Sequence, residues 1–247
     1  MFSLFSKKRQ PQVDMSRLPA HIAFIMDGNG RWARRRGLPR MAGHSAGAKT
    51  FRAIAHHCKA LGIPYMTVYA FSTENWSRPE GEVQGIMDLL RTYLKEAFTD
   101  GEEGIRILFF GDRSRLDQDI QREMAHVEQE SAKKPWVTTL CIAMNYGGRD
   151  DILHAARQLA ARAAAGQIDP QAITPEDVSG CLYTAGIPDP DLIVRTSGEY
   201  RLSNFLLWQG AYSELVFTDV LWPDFDKQNL LQAIATYQQR NRRFGGV

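Results

Sequence analysis

The sequence predicts an α/β fold, a single domain with a mostly parallel central sheet of about six strands flanked by helices. Three observations lead there. Six short, near-continuous apolar runs recur along the chain, of the kind that suits strands buried on both faces. Segments between them carry apolar residues at helical spacing. No internal repeat, low-complexity tract or Pro-, Gly- or Ser-rich linker divides the 247 residues, so one domain is the economical reading. Strands that alternate with helices favour parallel pairing and right-handed crossovers.

In chain order, residues 1–17 are polar and basic after a short apolar start, "MFSLFSKK". That start is too short for a signal h-region and lacks a small-residue cleavage pattern. The segment reads as a mobile tail, with weak attraction to a membrane surface as the alternative, and the folded domain as 18–247. "HIAFIM" (21–26) is the first strand and "YMTVYAF" (65–71) the second. Between them Ala48, Phe51, Ile54, Cys58 and Leu61 follow helical spacing. A second helix covers 83–98 through Val83, Ile86, Met87, Leu90, Leu94 and Phe98, with Ser77, Pro79 and Glu80 as its start signal. "IRILFF" (105–110), "VTTLCIA" (137–143), "DLIVR" (191–195) and "ELVFT" (214–218) complete the six.

Composition narrows the function classes. The net charge of +2 is near balance, so no global polycation points to nucleic acid. Nowhere do 18 apolar residues run together, the length a membrane span needs. Cys58, Cys141 and Cys181 lie far apart in apolar contexts without metal-ligand spacing, which suits reduced cysteines of a cytoplasmic protein.

Ligands of such sheets bind beyond the carboxyl ends of the strands. Four polar clusters fall there: "DGNGR", "STENWSR", "NYGGRD" and "RTSGEYRLSN", after strands one, two, four and five. Two familiar motifs fail on inspection. Gly28, Gly30 and Ala33 match a dinucleotide fingerprint, yet the acidic residue expected about 20 positions on is missing and Asp27 would face the pyrophosphate. "GHSAGAKT" approaches a phosphate-binding P-loop, but Ala48 stands where the second glycine belongs. A glycine-rich helix start with free N–H groups is the better reading.

Asp27 is one carboxylate among Arg31, Arg34, Arg35, Arg36 and Arg40. It can neutralise one of them. Arg34 to Arg36 read as a solvated face, and Arg31 and Arg40 as forked contacts to phosphate oxygens. An acid beside a phosphate site suits Mg²⁺, which takes one or two carboxylates plus phosphate oxygens and water. Arg195, Arg201 and Ser203 form a second group of phosphate-type donors, so two phosphorylated substrates are expected in one cleft. Phe71 and Trp76 either edge the core or wall an apolar part of the substrate.

"HIAFIMDGNGRWA", "GHSAGA", "YAFSTENWSRP", "NYGGR", "RTSGEYRLSNFLLWQGAYSELVFTDVLWPDF" and "RRFGG" together resemble the cis-prenyltransferases, specifically the bacterial undecaprenyl diphosphate synthases. The resemblance runs in order from about residue 21 to the C-terminus. It implies a Mg²⁺-dependent enzyme that extends an allylic diphosphate, usually farnesyl diphosphate, by repeated cis addition of isopentenyl diphosphate. The expected product is undecaprenyl diphosphate, the carrier-lipid precursor for cell-wall polysaccharide, or a polyprenyl diphosphate of another length.

By position in the family's motifs, Asp27 is implied to coordinate the metal and the allylic diphosphate. Gly28, Asn29, Gly30, Arg31, Arg40 and His44 complete that pocket, with Trp32 adjoining it. Ser72, Thr73, Glu74, Trp76 and Arg78 fall on substrate-contacting positions, and Asn75 on a residue proposed to help proton removal. An amide is a poor base, so water or released diphosphate is the alternative acceptor. His44 has a suitable ordinary pKa but serves equally as a phosphate donor. Arg195, Arg201, Leu202 and Ser203 fall on the isopentenyl diphosphate site, and Glu214 on the second metal-associated carboxylate. Arg243, Phe244 and Gly245 resemble an element that assists across a homodimer interface.

The resemblance also implies an apolar tunnel for the growing chain. The 83–98 helix and the "IRILFF" strand are its candidate walls, although an ordinary core needs both patterns too. Two rivals stand beside this reading. A catalytically silent partner subunit would lack the first-motif aspartate or the terminal arginine–glycine element, and this chain has both. A nucleic-acid binder using Arg31 to Arg40 is opposed by the near-neutral total. The product is expected to pass to the membrane from a cytoplasmic enzyme, peripheral at most.

Overall fold

A computed structural model describes residues 12–97 and 104–240. Its six strands are β1 (His21–Ile25), β2 (Tyr65–Ser72), β3 (Gly104–Phe110), β4 (Trp136–Tyr146), β5 (Leu192–Arg195) and β6 (Glu214–Phe217). They form one sheet in the order β3-β4-β2-β1-β5-β6, and every pairing is parallel. All six expected strands are present, displaced at their ends by at most three residues. The helices among the described residues are α1 (Asn29–Arg35), α2 (Arg40–Leu61), α3 (Glu80–Glu96), α4 (Gln118–Ala132), α5 (Gly148–Ala164), α6 (Pro175–Cys181) and α7 (Lys227–Gln238).

Strand alternation divides the sheet into two faces. Ile22, Phe24, Met66, Val68, Leu140, Ile142 and Met144 join the main core with Phe51 and Ile54 of α2, Leu90 and Leu94 of α3, and Ile120 of α4. Ala23, Ile25, Cys141, Ala143 and Ile193 pack on the other face against Phe205 and Leu206. The chain adds strands on one side of β1 and then crosses to place β5 on the other. The resulting switch point opens a crevice at the carboxyl edge. There Ile25 pairs with Arg195.

Three local expectations are corrected. "GHSAGAKT" does not start a helix: α2 begins at Arg40, so these residues are already inside it and most of their N–H groups are spent on helical bonds. Its glycines serve packing instead. A Cβ on Gly43 would lie 2.1 Å from the Asn29 carbonyl oxygen, and one on Gly47 2.4 Å from Asn29 Oδ1. Second, Ser77 does not cap the following helix. Pro79 stands at that cap, while Ser72 and Asn75 form a capping box on a 3-10 turn, Thr73–Ser77. Third, the helix read from 48 to 61 extends back to Arg40, because its first turns, rich in glycine, alanine and polar residues, pack closely without showing an apolar stripe.

Of the segment expected to be a mobile tail, residues 14–17 are docked on α7. Asp14 N–H donates to Gln238 Oε1 at 2.9 Å, and Gln238 Nε2 donates to the carbonyls of Asp14 and Arg17. Residues 1–11, Phe98 and the 243–245 element lie outside the described residues. All three cysteines are buried and free, and burial pushes the Cys58 and Cys141 thiols up to about 12. Among the described residues, no helix is long and apolar enough to cross a membrane.

Candidate active site

Asp27 leaves β1 at the crevice. The next residue, Gly28, has φ +106, and a Cβ there would meet Leu221 Cδ2 at 2.9 Å, so only glycine turns the chain into α1. Asp27 Oδ1 accepts from the Gly28 N–H at 2.6 Å, and Oδ2 accepts from Arg195 Nη2 at 3.0 Å. Arg31 Nη2 lies 3.5 Å from Oδ1. Burial pushes this carboxyl up, but the Arg195 hydrogen bond and charge, the Gly28 N–H and Arg31 outweigh it and hold it below its ordinary value. Asp27 is therefore ionised.

Arg195 ends β5 with its side chain only 4% exposed. Its Nη1 donates to the Arg201 carbonyl at 2.5 Å and to Ser203 Oγ at 2.7 Å. The loop that follows is strained. Ser197, Ser203, Asn204 and Leu206 all have positive φ without being glycine, a conformation of order 1 kcal/mol or more each that gathers at functional sites. Arg31 donates to the carbonyl and hydroxyl oxygens of Ser197. Glu199 lies between two guanidinium groups, 3.0 Å from Arg31 Nη2 and 2.5 Å from Arg201 Nη1.

The 72–78 segment forms the opposite wall. Ser72 N–H donates to Asn75 Oδ1 at 3.2 Å, which fixes the orientation of that amide. Trp76 Nε1–H donates to Asn145 Oδ1, and its ring packs edge-on against Phe71. Glu74 accepts from Asn204 Nδ2 at 2.8 Å, tying this wall to the strained loop. Thr73 packs on Gly147, where a Cβ would lie 2.7 Å from its hydroxyl.

Glu82 was not marked in the sequence, yet it holds three expected site residues. Arg78 Nη1 lies 2.8 Å, Arg40 Nε 3.1 Å and His44 Nε2 3.5 Å from its Oε1. The available signal was its place four residues after Arg78 in the first turn of a helix. Burial pushes the His44 imidazole down, and Arg78 and Arg40 add to that more than Glu82 opposes it. His44 is thus neutral near pH 7.

Two cavities meet at Asp27. One of about 560 Å³ is bordered by Asp27, Asn29, His44, Ser72, Asn75 and Arg195, among others. The other, about 320 Å³, is bordered by Gly28, Gly30, Arg31 and Arg40, and also by Arg34. Asn29 Oδ1 and Arg195 Nε are buried without a hydrogen-bond partner. Two such atoms around one cleft suit a polar ligand that would satisfy them. An apolar cavity of about 130 Å³ continues inward between α2 and α3, lined by Ala48, Phe51, Leu90, Tyr93 and Ile142. Met26, Asn29, His44, Ala70 and Ile86 border both this cavity and the larger polar one. Of the expected tunnel walls, α3 contributes and β3 does not. The strands that do are β2, through Val68 and Ala70, and β4, its direct neighbour at the sheet centre, through Ile142 and Met144.

Some expected residues are not brought together. Trp32 spends its indole N–H on Asp224 at 2.7 Å and borders neither polar cavity. Leu202 packs into the second core cluster. Glu214 begins β6, level with Ile22 through Leu192, so it lies at the far edge of the sheet from Asp27. It is paired with Arg240 at 2.7 Å. Asp27 and Glu214 therefore cannot share one ion within a single chain.

Among the described residues, no three His, Cys, Asp or Glu side chains cluster as a metal cage. A lone ionised carboxylate, 31% exposed where two cavities join, fits a metal that draws its other oxygens from phosphate and water. Its two oxygens accept one close hydrogen bond each, which leaves lone pairs for an ion.

Comparison with known proteins points one way. The family described as "Putative undecaprenyl diphosphate synthase" matches residues 25–245. An isoprenyl transferase of Rhizobium meliloti (strain 1021) is 51% identical over 93% of each chain. One of Clostridium perfringens (strain 13 / Type A) is 45% identical over the whole of both. The crystal structure of lavandulyl diphosphate synthase from Lavandula x intermedia, in complex with dimethylallyl diphosphate, superposes with a TM-score of 0.86. It is 38% identical and covers 92% of this chain and 98% of its own. A probable undecaprenyl diphosphate synthase from Campylobacter jejuni gives 0.76 at 32% identity, covering 93% and 99%.

Proposed function

The chain belongs to the undecaprenyl diphosphate synthase family and is a cis-prenyltransferase, and from that premise we propose that it extends farnesyl diphosphate with isopentenyl diphosphate, in the presence of Mg²⁺, to undecaprenyl diphosphate. One observation carries this reading. A polar cleft bordered by Arg78 and Arg195, which meets the Arg31, Arg34 and Arg40 pocket at Asp27, opens directly into an apolar cavity, and five residues border both the cleft and that cavity. A molecule with a diphosphate head and a hydrocarbon tail is what that junction accepts.

In this reading the allylic diphosphate lies at Gly28 to Arg31, Arg40 and His44, with its tail along Ala48, Phe51 and Leu90. Isopentenyl diphosphate is held by Arg195, Arg201 and Ser203. The allylic carbon–oxygen bond breaks, the new carbon–carbon bond forms, and one proton is lost. Asp27 is the residue that would hold Mg²⁺, and the ion, when bound, would supply charge stabilisation for the departing diphosphate. Guanidinium groups preset by Glu82 and Ser197 face that charge without reorganising. Ser72, Asn75 and Trp76 place the reacting carbons, since the Ser72–Asn75 hydrogen bond and the bond from Trp76 to Asn145 leave them little freedom. Asn75 serves as an orienting amide, because an amide is too weak a base to take the proton and its oxygen is fixed by the Ser72 N–H. Pyrophosphate or water takes the proton.

The protein works as a homodimer in the cytoplasm and passes its product to the membrane. The exposed Tyr200 and Tyr212, near the edge strand β6, support a dimer face. Incubation with farnesyl diphosphate and labelled isopentenyl diphosphate, with and without EDTA, tests the proposal. A metal-dependent product that sizes as C55 is expected, and no prenyl product at all overturns it.

A further inference from the structure

Glu199 is spanned by Arg31 of α1 and Arg201 of the strained loop, one carboxylate oxygen on each, at 3.0 and 2.5 Å. The two arginines fall in different proposed diphosphate pockets. Folding gives little reason for the pairing. Arg201 is 59% exposed and Arg31 39%, and exposed ion pairs contribute little to stability. Each arginine also has backbone ties independent of Glu199, Arg31 donating to the Ser197 carbonyl and Arg201 accepting Arg195 on its own carbonyl. A carboxylate at this position does have one unavoidable effect. It occupies guanidinium N–H groups that a diphosphate would otherwise take, and it offsets part of their charge.

We propose that Glu199 is a built-in counter-anion that competes with diphosphate for Arg31 and Arg201 and so limits how tightly pyrophosphate is retained between condensations. This rests on the reading of those arginines as diphosphate ligands. Glu199 is then a positioning residue, acting through the two guanidinium groups. An elongating enzyme needs this restraint, because each cycle leaves pyrophosphate in a cationic cleft that must accept the next substrate. Loss of the restraint strengthens ground-state binding without strengthening the transition state, so KM and kcat fall together.

The test is binding of inorganic pyrophosphate by calorimetry, with steady-state kinetics, for the wild type, Glu199→Gln and Glu199→Asp. Glu199→Gln is expected to bind pyrophosphate about tenfold tighter, with lower KM for isopentenyl diphosphate, lower kcat, and a difference that shrinks as salt is raised. Glu199→Asp keeps the charge and is expected to bind as the wild type does. A folded Glu199→Gln protein that binds pyrophosphate no tighter than wild type overturns the proposal. If that variant does not fold, Glu199→Ala carries the same comparison. A wild type that neither binds pyrophosphate nor transfers prenyl groups would instead refute the underlying reading.

Discussion

Gly43→Ala adds one methyl group where α1 and α2 touch. Its Cβ would stand 2.1 Å from the Asn29 carbonyl oxygen and 3.3 Å from Ala33 Cβ, where ordinary contact begins at 3.4 Å. Backbone cannot rotate out of the way as a side chain can, so the helices must part by roughly 1 Å, an overpacking that costs about 1–3 kcal/mol. Alanine's better helix propensity returns about 1 kcal/mol. The net loss, up to about 2 kcal/mol, lowers Tm by up to about 8 °C in a chain of this size. The larger effect is on activity, because α1 carries Asn29, Gly30 and Arg31. Displacing them by about 1 Å is expected to reduce kcat/KM by up to ~100-fold. Gly47→Ala is expected to be milder, since its nearest neighbour is the rotatable Asn29 amide. Gly180→Ala, with nothing within 4 Å, should leave activity unchanged and stabilise slightly. Calorimetry and prenyl-transfer kinetics on the three variants decide the matter. A Gly43→Ala protein as stable and active as wild type would refute close helix contact as the reason for that glycine.

Asp27→Ala is expected to lose at least ~100-fold in kcat/KM and also about 1–2 kcal/mol of stability, because buried Arg195 loses its counter-ion; full activity would contradict the assignment. His21 is held near 4 by burial, with Nδ1–H donating to the Pro188 carbonyl and Nε2 accepting from Thr67. Its contribution is therefore complete above pH 6.5 and is lost as pH falls toward 4, about 3 kcal/mol in all. Urea unfolding of His21→Gln should show a flatter dependence over that range than wild type, and parallel curves would refute it. Ala48→Trp places an indole in the apolar cavity and is expected to shorten the chromatographic product, while an unchanged length would mean the chain grows elsewhere.

The architecture was legible because its cause is local. Six buried strands need six apolar runs, and those runs stand out in a chain of ordinary composition. Strand ends were less clear, since β4 continues through polar Asn145, which is buried and hydrogen-bonded to Trp76. The start of α2 was hidden for a related reason: its first turns pack through glycines, which leave no apolar stripe. The cleft was legible in outline because ligands of such sheets gather at the carboxyl edge, and the motifs there are long.

Taken by itself, the sequence determined the parallel α/β class, the family and which polar clusters lie at the strand ends. These follow from periodicity and residue order, which are properties of a one-dimensional string. Only the tertiary structure decided the partners. It placed Arg195 rather than Arg31 closest to Asp27, put Glu214 at the opposite edge of the sheet, turned Trp32 toward Asp224, and seated Glu82 and Glu199 among the arginines. Charge pairing depends on distance in space, and residues 168 positions apart meet only because β1 and β5 lie side by side.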